Sequence, residues 1–149
     1  MESSDSFTPS TPSKSLKRPV QIRIFSEANG ERFEQNASGE WYDKGNHGYL
    51  RYAETDKEMG NTVTTVRIED NSVRVIRQGD VRSEQTFREG LEATGYYETS
   101  YISMRLATRT ESITVACKNG SGSVKLRYRL LVEGEESGLY MLELELQPV

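Results

Sequence analysis

From Pro19 onward, apolar and polar residues alternate in short runs, and helical periodicity is nearly absent. Val20, Ile22 and Ile24 are separated by Gln21 and Arg23, and Asn29-Gly30 then supplies the positive-φ pair of a two-residue type I′ turn. The chain returns through Phe33, Gln35 and Ala37. Strands are predicted over residues 49–54, 62–69 and 72–77, with Asp70-Asn71 at the tip of the last hairpin. Residues 81–87 read as another strand, although Phe87 and Leu91 also suit a short helix. Further strands are expected over 93–98, 102–108, 113–118, 124–132 and 140–146, with Asn119-Gly120 as a turn. Many short strands punctuated by turn residues indicate an all-β sandwich or barrel.

The final hairpin carries the strongest alternation. Val124, Leu126, Tyr128, Leu130 and Val132 share one face, while Lys125, Arg127 and Arg129 share the other. Setting Val132 opposite Tyr140 matches apolar to apolar along the pair. It also places Arg129 across from Glu143 and Arg127 across from Glu145. The basic face then reads as a solvated exterior.

Composition narrows the class. A chain of 149 residues makes one domain with a core large enough to need no staples. Residues 1–17 are rich in Ser, Thr and Pro and hold little to bury, so they are expected to be a disordered tail ahead of a barrel domain over 18–149. The single cysteine, Cys117, excludes an internal disulfide and fits a reducing compartment. No apolar run approaches the roughly 20 residues needed to span a bilayer, and the start of the chain lacks a secretory pattern. A cytoplasmic protein with no membrane partner is expected. The net charge of −4 lies in the body of the chain, which disfavours a nucleic-acid partner. A monomer or homodimer fits equally well.

Several short motifs carry a resemblance. Tyr42 follows Gly39 at the end of the first hairpin; Tyr52-Ala53-Glu54 ends a strand; residues 60–67 read GNTVTTVR; Arg77-Gln78-Gly79 precedes Phe87-Arg88-Glu89-Gly90; and Thr99-Ser100-Tyr101 leads to Met104 and Leu106. The stretch from Val20 to Pro148 resembles the YwiB-like family of uncharacterised bacterial proteins. The resemblance implies a single antiparallel calycin-like (lipocalin-like) β-barrel and no activity to carry over. Gly39-Glu40-Trp41 mimics the lipocalin Gly-x-Trp triplet, but it follows a complete hairpin instead of opening the first strand, so we read it as coincidence.

Catalytic groups are scarce. His47 is the only histidine and sits in a Gly/Asn-rich turn, so a dyad with Cys117 would need chance proximity. No metal-ligand spacing, phosphate-cradling loop or paired-carboxylate motif is present, so neither enzyme chemistry, a cofactor nor a metal is expected. Facing gives a better lead. Inward Leu50 and Tyr52 bring Glu54 inward, and inward Val66 and Ile68 bring Thr62 and Thr64 inward. A turn at Asp70-Asn71 sets Ile68 opposite Val73 and Thr64 opposite Arg77. Tyr52, Glu54, Thr62, Thr64 and Arg77 should therefore meet at one end of the interior, with Gln35, Ser83 and Gln85 also facing in. Buried charge must be paired or border water. The cluster is thus either a plug in a closed, filled barrel serving as an interaction or structural module, or the wall of a pocket in which Arg77 recognises a small, anionic ligand.

Overall fold

A computed structural model of the chain describes residues 17–45 and 47–149. Ten strands follow in order: β1 Lys17–Ala28, β2 Glu31–Asp43, β3 Gly48–Ala53, β4 Thr62–Ile68, β5 Ser72–Gly79, β6 Arg82–Arg88, β7 Glu92–Glu98, β8 Ser103–Lys118, β9 Ser121–Val132 and β10 Glu135–Pro148. Each pairs antiparallel with the next, and β10 pairs back onto β1, closing an up-and-down barrel. Among the described residues the only helical piece is a 3₁₀ turn at Lys57–Met59. The expected tail falls outside the described residues except for Lys17, which opens β1 opposite Tyr42.

The two foreseen Asn-Gly turns are present: Asn29 and Gly30 have φ of 51° and 90°, and Asn119 and Gly120 have 55° and 77°. A third turn of this kind overturns the register read for the last hairpin. Glu133 and Gly134 have φ of 51° and 85°, so the hairpin turns immediately after Val132, which pairs with Glu135. Such a tight turn would set Tyr140 opposite Arg127, apolar against polar. A bulge at Ser137 adds one residue to β10 and restores the match, with Tyr140 opposite Tyr128, Leu142 opposite Leu126 and Leu144 opposite Val124. Val132 therefore does not face Tyr140. Arg127 lies across from Met141 and Arg129 across from Leu139, not from Glu145 and Glu143.

β8 is a single strand where two were expected. A bulge at Glu111 divides it and moves the inward set from Leu106, Thr108 and Thr110 to Ile113, Val115 and Cys117. Phe87 is buried in β6 and Leu91 is exposed in the following turn, which settles that segment as strand.

Successive turns alternate between the barrel's two ends, and the ends differ. At one, Val20, Ile22, Leu50, Val73, Phe87 and Leu146 form a continuous apolar core. Trp41 closes it, lying so near Gly48 that a Cβ there would sit 2.1 Å from the indole ring. At the other end β3 stops pairing with β2 at Gly39, so residues 31–38 of β2 have no β3 partner, and Gln35 reaches the loop over 54–61 through its side chain. A cleft of about 630 Å³ opens there, lined by Ser26, Phe33, Glu34, Gln35, Thr55, Asp56 and Glu58. Phe33 is 56% exposed despite its position on the inward-facing side of β2.

Candidate interior polar site

Strand register builds the site. Tyr52 on β3 lies opposite Thr64 on β4, Thr64 opposite Arg77 on β5, and Arg77 opposite Ser83 on β6. With Val66 and Val75 fixed in the core, the two-residue period turns all four side chains inward. Glu54 continues the β3–β4 ladder by one bond, its N–H donating to the Thr62 carbonyl at 2.9 Å.

The Glu54 carboxylate is almost fully buried, with 4% side-chain exposure against 24% for Arg77. It accepts a hydrogen bond from the Thr64 hydroxyl. Its Oε2 stands 3.7 Å from Arg77 Nε, close enough for ion pairing but too long for a hydrogen bond. Arg77 Nη1 donates to Ser83 Oγ at 3.4 Å, while Nε is buried without a partner. The structure thus brings together Tyr52, Glu54, Thr64 and Arg77, as the alternation requires. Thr62 is nearby but otherwise employed. Its hydroxyl donates to the Met59 carbonyl at 2.5 Å and accepts from Val81 N–H at 3.1 Å, tying the 54–61 loop to the turn after β5.

Tyr128 joins the site from across the barrel, which local alternation does not reveal. Its ring meets Phe87 edge-on at 4.6 Å and stacks on Tyr140 at 5.6 Å. Burial pushes the Tyr128 phenol up to about 12, opposed by the Arg77 guanidinium. Burial, reinforced by the Glu54 carboxylate, also raises Tyr52 far above the ordinary phenol range. Thr110, the cross-strand partner of Tyr128, holds a second buried polar group without a hydrogen-bond partner, its hydroxyl. Of the other inward polar positions, Ser83 is buried and Gln35 accepts from the Thr55 hydroxyl at 3.3 Å in the cleft. Gln85 sits half-buried opposite Val75.

His47 and Cys117, expected to lie apart, share a hollow of about 300 Å³ at the apolar end, beside Trp41 and Asp43. Burial pushes the Cys117 thiol up to about 11, so it stays protonated at neutral pH and is a poor nucleophile. Among the described residues no cluster of three or more metal-ligating side chains occurs. Nor is any helix among them long and apolar enough to cross a membrane.

Residues 20–144 match a family model described as a domain of unknown function, DUF1934. Over 121 residues the chain is 30% identical to the uncharacterised β-barrel protein YwiB of Bacillus subtilis (strain 168), covering 81% of this chain and 84% of that protein. The crystal structure of the Bacillus subtilis ywiB protein superposes with a TM-score of 0.75 at 24% identity, over 90% of this chain and 94% of the other. The match confirms the barrel and bears out the resemblance read from the short motifs.

Proposed function

The chain belongs to the DUF1934 family, and from that membership and the interior site we propose that it is a non-catalytic, cytoplasmic barrel binding a small polar molecule at the polar end of its interior. The observation that carries this reading is the orphaned Nε of Arg77. A buried N–H without an acceptor costs about 1–3 kcal/mol, and the nearest carboxylate oxygen, at 3.7 Å, does not satisfy it. An acceptor oxygen on a bound molecule would. The unpaired Thr110 hydroxyl offers a second polar anchor, and the Tyr128 ring an apolar wall. Entry would be through the cleft between β2 and the 54–61 loop, with exposed Phe33 at its rim. The lone Cys117 fits the reducing cytoplasm.

Charge refines the ligand class. Glu54 already offsets Arg77, and Glu34, Asp56 and Glu58 line the cleft. A neutral or zwitterionic molecule bearing a carbonyl or carboxylate oxygen therefore fits better than a free anion, which the cleft would repel. Native mass spectrometry of protein purified from its own host tests the reading. A small molecule should accompany the wild-type chain and be lost from Arg77→Ala. A wild-type chain that carries no added mass and binds nothing from a host metabolite extract would leave the closed, filled barrel as the better account.

A further inference from the structure

The outer wall of the barrel is largely charge-paired, but on β4, β5 and β6 arginines gather against one another. Arg67 lies directly opposite Arg74 across β4 and β5, and Arg88 follows on β6 opposite Ser72. Like charges set directly opposite in a sheet repel, and Glu69 and Glu84 offset those of Arg67 and Arg74 while leaving Arg88 beside them. The three arginines line a hollow of about 240 Å³ together with Ser72, Thr86 and one carboxylate, Glu69.

Neutralisation of these cations is incomplete. Arg74 directs Nε and Nη2 at the same Glu84 oxygen, at 3.1 and 2.5 Å. Arg67 Nη2 reaches Glu69 at 3.0 Å, its guanidinium stands 5.8 Å from the Tyr49 ring, and its Nε is buried without a hydrogen-bond partner. Arg88 forms no ion pair among the described residues. This concentration of positive charge sits on a chain whose net charge is −4.

We propose that this hollow binds a phosphate group, either as the free ion or as a monoester. Arg67 and Arg88 supply planar N–H forks suited to tetrahedral oxyanions, and the Ser72 and Thr86 hydroxyls can donate to the remaining oxygens. The hollow is wide enough for one phosphoryl group. An adjoining hollow of about 510 Å³ shares Glu69, Ser72 and Arg88 and adds Asn71, Glu89 and exposed Leu91, which leaves room for the rest of an ester against the Leu91 side chain. The site is separate from the interior one: Arg77 follows Arg74 by three residues on β5 and so faces the opposite side of the sheet.

Amide NMR titration of the full chain at low ionic strength, with inorganic phosphate in one arm and phenyl phosphate in the other, tests the proposal. Saturable shifts centred on residues 67–74 and 86–88 are expected in at least one arm. Saturation with phenyl phosphate alone assigns a monoester, and equal saturation assigns the free ion. Arg88→Ala should weaken binding about tenfold to a hundredfold, the effect of losing a charge-assisted contact. Arg23→Ala, which removes an exposed arginine on β1, four strands from β5 on the opposite side of the barrel, should weaken it less than about twofold. No saturable shift in either arm overturns the proposal. So does equal weakening by the two variants, which would mean diffuse surface attraction only.

Discussion

The two ends of this barrel are built from the same alternating strands yet solve opposite problems. At the apolar end Trp41, Val20, Leu50, Val73 and Phe87 need only fill space, and close packing suffices. At the polar end Glu54, Thr64, Arg77 and Ser83 occupy the equivalent inward positions, and each needs a partner of the right geometry. Both ends hold an orphaned donor, since the Trp41 indole N–H also lacks a partner. The difference is charge. A neutral indole N–H costs less to leave unsatisfied than an arginine Nε beside a carboxylate that it does not bond.

The sharpest way to break this contrast is to empty the apolar end. Trp41→Ala removes a buried ring packed against Gly48 and Gly120 and should cost about 3–5 kcal/mol in denaturant unfolding. Arg77→Ala should cost less, about 1–3 kcal/mol, because its side chain is a quarter exposed and Glu54 keeps the Thr64 bond. A cost for Arg77→Ala matching that of Trp41→Ala would make the polar end a dry plug.

Alkaline pH sharpens the comparison next, because the raised phenols belong to the polar site. Tyr128 keeps its proton up to about pH 12 when folded, against about 10 when unfolded. Between those values the unfolded chain binds fewer protons, so this contribution to stability is complete below pH 10 and lost as pH rises toward 12. The loss should be on the order of 2 kcal/mol, and Tyr128→Phe should remove that part of the slope. An identical alkaline profile in the variant would mean the phenol is solvated.

Much of the polar row was legible beforehand because it depends on one hairpin and a period of two. With Asp70-Asn71 at the tip, Val73 and Val75 facing in oblige Arg77 to face in, and Thr64 must lie across from it. Three features were not legible. Tyr128 reaches the site across the lumen, and which side chains meet there depends on the stagger of the closed barrel, not on local pattern. The hollow that brings His47 to Cys117 arises in the same way. The bulges at Glu111 and Ser137 leave only indirect marks: the first switches the apolar positions from Leu106 to Ile113, which reads as a break between two strands, and the second shows only as Gly138 inside a strand, φ 143°.

Those bulges supply the smallest and most discriminating effect. Glu111, displaced outward by its bulge, reaches Arg127 at 3.0 Å and Arg129 at 3.3 Å, while Glu136 takes Arg129 at 3.0 Å. All of these side chains are 40–48% exposed, so each pair should contribute only about 0.2–1 kcal/mol. A double-mutant cycle on Arg127 and Glu111 should return coupling in that range, and a cycle on Arg129 and Glu143 should return none. Glu143 instead faces Lys125, four positions from Arg129 along β9. Coupling between Arg129 and Glu143 with none to Glu111 would restore the register that alternation suggests and remove both bulges. The pairing of Tyr128 with Tyr140 and with Thr110 would then have to be redrawn, and with it the far wall of the polar site.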